Sequence, residues 1–271
     1  MREVTADLLA AITASAKKSA DVRERAWDAK TREAAAGRAP RGVEFIDRLG
    51  GPASLRVPII AECKRRSPSR GILRDPYDPV AIAVGYEAAG AAAISVLTEA
   101  TFFDGALDHL AAVRGHIGIP LLRKDFIATP FQIVEARAAG ADAVLLIVGA
   151  LDSHVLAALM AEAAAQDLAA LVEVHSREEL HVALDAGARL VGVNSRNLKT
   201  LEVDLGVFDD LIDEMPDAVT AVAESGLREA ADLHRLRAAG YDAFLIGERF
   251  MTTPNPGEAL AELIAAASGD R

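Results

Sequence analysis

Ala139-Gly140-Ala141-Asp142-Ala143-Val144-Leu145-Leu146-Ile147 is the stretch that decides the fold. A glycine between two small residues suits the left-handed turn that ends a helix, and the apolar run behind it suits a strand buried on both faces. The same small-Gly-small signature returns at Ala89-Gly90-Ala91, Ala186-Gly187-Ala188 and Ala239-Gly240-Tyr241, each time with an apolar run close behind. The unit is helix, glycine turn, parallel strand. Extending the search gives strands over 57–63, 92–97, 119–124, 142–147, 169–174, 189–194, 219–224 and 242–247. Their starts lie 20 to 35 residues apart, which leaves room for one crossover helix each and makes consecutive strands parallel. Eight such units close most economically into a (βα)₈ TIM barrel. The rival, an open doubly wound sheet, usually has fewer strands and a glycine-rich turn after the first. Here Glu62-Cys63-Lys64-Arg65-Arg66-Ser67-Pro68-Ser69 occupies that place.

Residues 1–56 do not fit the repeat. Val4 to Trp27 reads as a helix and Arg38-Ala-Pro-Arg-Gly42 as a break, so the expectation is an N-terminal helical extension packed against a barrel of residues 57–271. The chain of 271 residues is then one domain, close to the roughly 250 residues a barrel normally uses. Aromatics are scarce and small aliphatic residues abundant, as a large aliphatic core requires. Oligomeric state is not legible, since the extension can cover its own barrel or reach a partner; a monomer is the working expectation.

A formal net charge of −11 argues against a nucleic-acid partner, which would need a basic face. An anionic ligand would need a locally positive pocket. Cys63 is the only cysteine, so neither an intramolecular disulfide nor a multi-cysteine metal site can form. The first 20 residues lack the apolar core of a secretion signal, and no apolar run reaches the roughly 20 residues that span a bilayer. These features point to a reducing cytoplasm and to no membrane partner.

Ligands meet a barrel at the C-terminal ends of its strands, so polar residues there carry the functional weight. Alternation along Val57 to Lys64 puts Glu62 and Lys64 on one side, either as a structural ion pair or as two charges at the barrel mouth. Cys63 has the opposite parity and should face the helices. Lys124 ends the third strand, where a partly desolvated ammonium can donate a proton; on this segment alone a solvated loop lysine is an equal reading. Asp125 is equally suited to capping a turn, and Phe126 to the core or to an apolar pocket. Glu173 is a carboxylate among aliphatic residues and so a general-base candidate. His175 is assigned a structural hydrogen bond, with Ser176 as helix cap. Asn194 suits substrate hydroxyls and Arg196 a carboxylate or phosphate, although taken alone a turn-forming Asn and a surface Arg are the favoured readings. Ser225-Gly226 and Gly247-Glu248 end the last two strands, where barrels often hold phosphate on backbone N–H groups. The histidines show no metal-ligand spacing, so no metal site is expected.

Laid in order, Ile60-Ala-Glu-Cys-Lys-Arg-Arg-Ser-Pro-Ser-Arg-Gly71, Leu122-Arg-Lys-Asp-Phe126, Leu171-Val-Glu173, Gly192-Val-Asn-Ser-Arg-Asn-Leu198, Ala223-Glu-Ser-Gly226 and Phe244-Leu-Ile-Gly247 resemble the indole-3-glycerol phosphate synthases. The resemblance covers nearly the whole chain, and Glu-x-Lys-x-x-Ser-Pro-Ser together with Leu-x-Lys-Asp-Phe is highly specific. It implies a carboxy-lyase of tryptophan synthesis that needs no metal or organic cofactor. The reaction closes the pyrrole ring of 1-(2-carboxyphenylamino)-1-deoxyribulose 5-phosphate with loss of carbon dioxide and water. The resemblance makes Lys64 and Lys124 the two cationic donors, in an order the sequence leaves open, and Glu173 the acid or base of the second stage. Lys64 would also attract the substrate carboxylate. Glu62 and Asn194 would position hydroxyls, and Ser67, Ser225, Gly226 and Gly247 would gather the phosphate. Arg196 would assist orientation, and Phe126 with Leu145 would face the aromatic ring. Glu248 stands where the family often has a small residue; its expected contact is through the backbone N–H, with the side chain turned away. Two other readings exist. A related sugar-phosphate isomerase would want a Cys and Asp pair, for which Cys63 has the wrong parity. A non-catalytic binding protein would be expected to have lost the charged set.

Overall fold

The computed structural model describes residues 8–28, 39–51, 57–198 and 200–269. Among these, eight parallel strands close into a barrel: β1 (Ile59–Cys63), β2 (Ala93–Leu97), β3 (Leu121–Lys124), β4 (Ala143–Ile147), β5 (Ala169–Val174), β6 (Leu190–Asn194), β7 (Thr220–Glu224) and β8 (Ala243–Ile246). Each strand pairs with its neighbours in sequence, and β1 closes on β8 with Ile59 opposite Phe244. Most strand ends fall where the apolar runs end. Two starts come two residues later than the sequence suggests, at Ile59 and Leu121 instead of Val57 and Ile119. Pro58 and Pro120 cause this: without an N–H neither can donate to the ladder, although the carbonyls of both accept, from Phe244 and Ile94.

A helix follows every strand: α3 (Pro79–Ala88), α4 (Leu107–Arg114), α5 (Pro130–Ala139), α6 (Ser153–Ala165), α7 (Arg177–Asp185), α8 (Gly206–Ile212), α9 (Ala230–Ala239) and α10 (Pro256–Ala267). Local chemistry sets their ends. Asp78 caps α3 by accepting from the N–H groups of Val80 and Ala81, and Pro79 supplies a preset first turn. Thr129 and Gln132 form a reciprocal capping box on α5, which stops at Gly140 with φ 107°. This is the glycine turn of the opening stretch.

Among the described residues two helices precede the barrel, α1 (Leu8–Ala26) and α2 (Gly42–Gly50). Residues 4–7 of the expected first helix, and Arg38 of the expected break, lie outside the described residues. Phe45 and Leu49 of α2 are buried and join the barrel-interior core with Ile60, Leu122, Leu171 and Val222. A larger core, including Cys63, fills the layer between strands and helices, so Cys63 faces outward as its parity requires. Helix α1 lies along α5 and the turn after β4, fastened by Arg23, whose guanidinium meets the buried Glu135 at 2.5 and 2.9 Å. No described helix is long and apolar enough to cross a membrane.

Candidate active site

Interior side chains of such a barrel stack in layers of four, each layer drawn from alternate strands. The layer nearest the C-terminal end here is charged. The odd strands β1, β3, β5 and β7 contribute Glu62, Lys124, Glu173 and Glu224, all buried or nearly so. Lys124 Nζ donates to Glu173 Oε2 at 3.0 Å and to Glu224 Oε2 at 2.8 Å. Register makes this possible. Glu173 lies opposite Gly192 on β6, and Asn194 opposite Glu224 on β7. A side chain at Gly192 would run into the Glu224 carboxylate, so the glycine leaves the space that this carboxylate fills.

Three carboxylates around one ammonium cannot all ionise freely. Burial works against charge on Lys124, but Glu173, Glu224 and Glu62 outweigh it and hold the ammonium protonated well beyond the ordinary lysine range. Burial also opposes charge on Glu173, yet Lys124, His175 and Asn194 keep that carboxyl below its usual value. Glu224 takes the opposite course: burial, with repulsion from Glu173, pushes it up to about 7 against the attraction of Lys124. The layer thus holds one firmly ionised carboxylate beside one that carries a proton near neutrality.

Two residues above this layer, just past the end of β1, Lys64 reaches back to Glu62 at 2.5 Å. Both pairs face a cavity of about 750 Å³. Every residue expected at the site from the sequence lines it, namely Glu62, Lys64, Ser67, Lys124, Phe126, Leu145, Glu173, Asn194, Arg196, Ser225, Gly226, Gly247 and Glu248. Asn194 Oδ1 also accepts from the Arg196 N–H at 3.0 Å, so it shapes its own turn as well. One side of the cavity is apolar: Phe126 and Leu145 are joined by Phe103, whose ring lies 6.1 Å from that of Phe126, and by Leu8, Leu9 and Ile12 of α1. At the other side Ser225 and Gly226 both take left-handed backbone, φ 69° and 73°. That conformation is costly for serine and is kept where a function over-determines it. Gly247 packs against Glu62 so closely that a Cβ would meet the carboxylate and lie 2.8 Å from the Glu62 Cβ.

The structure corrects one expectation in particular. The Glu248 side chain is not turned away: it meets Arg196 at 3.3 Å and Arg70 at 3.6 Å on the cavity wall. Two cations within reach explain why an acid is tolerated there. Asp125 does hold the turn after β3, its Oδ1 accepting from the Phe126 N–H at 2.8 Å, while Oδ2 accepts from Thr98 at 2.6 Å and pairs with the buried Arg123 at 2.9 Å. Ser176 does cap α7, and His175 does make a structural bond, its Nδ1 donating to Glu179 at 3.1 Å.

Sequence reasoning missed Glu224, Arg70, Phe103 and the α1 contacts. Glu224 was within reach, because it ends β7 as Glu173 ends β5, a carboxylate closing an apolar run. Arg70 sits on a turn after β1, Phe103 ends the short helix Ala100–Phe103 after β2, and α1 lies outside the repeat, so strand parity says nothing of them. Among the described residues no three His, Cys, Asp or Glu side chains are grouped to hold a metal ion.

Known proteins can be set beside this geometry. The family model for indole-3-glycerol phosphate synthase matches residues 9–263. Indole-3-glycerol phosphate synthase of Rhodococcus jostii is 48% identical over 244 residues, 90% of either chain. That of Beutenbergia cavernae is 47% identical over 254 residues, 91% of this chain and 93% of its own. The Parafrankia protein of the same name reaches 54% over 211 residues, 78% of this chain and 79% of its own. Among solved structures, thiamine phosphate pyrophosphorylase from Pyrococcus furiosus superposes with a TM-score of 0.59 at 18% identity, covering 82% of this chain and 97% of its own. A mandelate oxidase variant gives 0.60 at 17%, covering 88% and 92%. At such identities these two speak for the barrel alone.

Proposed function

The chain belongs to the indole-3-glycerol phosphate synthase family, and we propose that its charged strand-end layer carries out that family's ring closure, decarboxylation and dehydration on a phosphorylated ribulotide. The observation that carries this reading is the clamp of Lys124 between Glu173 and Glu224, facing the same cavity as the Lys64–Glu62 pair. Two cations and a firmly ionised base in one cavity suit a reaction that needs acid help twice and a base once.

In ring closure, the aryl carbon bearing the carboxylate attacks the ketone, and negative charge grows on the ketone oxygen. Lys124 is held so firmly protonated that it is a poor acid toward a neutral carbonyl but a strong electrostatic partner for an alkoxide. It polarises the ketone first and gives its proton only once the oxygen has become strongly basic. The carboxylate then leaves as carbon dioxide, its electron pair restoring the aromatic ring. Lys64, at the rim of the layer, attracts that carboxylate and afterwards protonates the departing hydroxyl. Glu173 takes the proton from the carbon beside it, forming the pyrrole double bond, and water departs. Glu62 aims Lys64, and Asn194 holds Glu173 and the sugar hydroxyls. Glu224 keeps Lys124 central while carrying a proton itself.

The apolar wall of Phe126, Leu145 and Phe103 receives the aromatic ring. The opposite wall, with Ser67, Ser225, Gly226 and Gly247, receives the phosphate, and Arg196 and Arg70 supply positive charge once Glu248 yields them. We further take the extension and the barrel as one domain, because α2 completes the barrel-interior core. Purified protein given the ribulotide should develop indole absorbance and fluorescence with release of one carbon dioxide per turnover. A well-folded sample that yields neither product contradicts the reading.

A further inference from the structure

Glu173 is gripped on both oxygens, and only one grip belongs to the charged layer. Lys124 holds Oε2; Oε1 lies 3.3 Å from His175 Nε2, which is buried and makes no aligned hydrogen bond there. The other ring nitrogen donates to Glu179 Oε2 at 3.1 Å, and the same oxygen accepts the His175 backbone N–H at 2.8 Å. Glu179 is itself fixed, being the residue of the first turn of α7 whose N–H bonds the capping Ser176, and its second oxygen rests against Gly149. A neutral imidazole has one N–H and can satisfy one carboxylate; only the imidazolium can face two.

We propose that His175 is a positioning residue for the dehydration step: as an imidazolium strung between Glu179 and Glu173 it fixes the plane of the Glu173 carboxylate and holds it ionised while Lys124 is engaged with substrate. The inference rests on the reading of Glu173 as the base. In the unliganded site Lys124 and His175 both neutralise Glu173, Lys124 the more strongly. Once Lys124 turns to the ketone oxygen, that neutralisation weakens, and a second cation on the far oxygen keeps the base from picking up a proton early. The charged groups around this pair are Lys124 from β3, Glu62 from β1, Glu224 from β7 and Glu179 from α7. Burial opposes charge on His175, but Glu173 and Glu179 outweigh it and push its pKa up to about 10. The cation therefore persists through the neutral range.

The test compares His175→Gln, Glu179→Gln and Glu173→Gln with the parent, following kcat and KM between about pH 5 and 10. His175→Gln should lower kcat about tenfold with KM within about twofold, and should move the acid limb of the kcat profile upward because Glu173 has lost a cationic neighbour. Glu179→Gln leaves the imidazole in place but removes one of its anions, so the alkaline limb should move to lower pH. A purely structural histidine would change thermal stability and leave both limbs where they are. Parent-like limbs in both variants overturn the inference, and Glu179→Gln decides the matter should His175→Gln fail to fold. Glu173→Gln separates the two readings. If it turns over like the parent, the base assignment falls and this inference with it; if it is inactive while the other variants keep parent-like profiles, this inference alone falls.

Discussion

At single-residue scale, the site depends on two glycines and one protonated acid. Gly192 and Gly247 leave the space that Glu224 and Glu62 occupy. Gly247→Ala should therefore push Glu62 aside and carry Lys64 with it. Since a misplacement of about 1 Å can cost around a hundredfold in rate, kcat should fall about 10- to 100-fold with little change in melting temperature. Steady-state kinetics beside a thermal melt check this. Glu224 makes a second expectation possible. Its pKa in the folded chain, about 7, lies above the ordinary 4.5. A carboxyl raised in this way contributes stability that is fully present below about pH 4.5 and lost as the pH rises through 7, because the unfolded chain ionises first. At about 1.4 kcal/mol per pKa unit the loss is at most roughly 3–4 kcal/mol. Glu224→Gln lacks it, so the stability advantage of the parent over this variant should shrink from pH 4.5 to pH 8 in urea denaturation. A constant difference would contradict the assignment.

Among the elements, α1 joins stability to substrate binding. Arg23 fastens it to Glu135, and the other end of the helix brings Leu8, Leu9 and Ile12 to the apolar wall of the cavity. Arg23→Ala should cost about 1–2 kcal/mol. That is below the roughly 3–5 for breaking a buried pair, because the Arg23 side chain is 39% exposed and Glu135 keeps Arg123 at 3.0 Å. With the helix loosened, KM should rise severalfold while kcat changes little. An unchanged KM would show that α1 does not shape the aromatic wall. This element also marks how far the sequence could be read. Strand positions followed from the glycine turns and the apolar runs, because a parallel barrel strand leaves both signals in its own residues. The charged layer was mostly legible for the same reason, since a carboxylate or ammonium closing an apolar run stands out. Contacts made by α1, by Phe103 and by Arg70 leave no local trace. They depend on how loops and the extension fold back over the mouth. Glu248 shows the same limit: its side-chain direction is set by Arg196 and Arg70, which come from other loops.

Across the whole molecule, the extension is read as part of one domain, and Trp27 offers a direct probe of it. It is the sole tryptophan, and its ring packs edge-on against Phe131 of α5 at 5.1 Å. Unfolding followed by Trp27 fluorescence and by far-ultraviolet circular dichroism should coincide in one transition. A fluorescence change that precedes the loss of helix and strand would show the extension melting separately. The net charge of −11 is carried into the cavity as well, where Lys64, Lys124, Arg70 and Arg196 stand among the carboxylates of Glu62, Glu173, Glu224 and Glu248.

In the function proposed, the ammonium at the middle of the charged layer drives ring closure. Single-turnover reaction of Lys124→Ala with the ribulotide, read by indole fluorescence beside the parent, tests it most directly. The expected result is a folded variant that still binds the ribulotide and forms indole product at least about a thousandfold more slowly. Product formation at a rate close to that of the parent would contradict it.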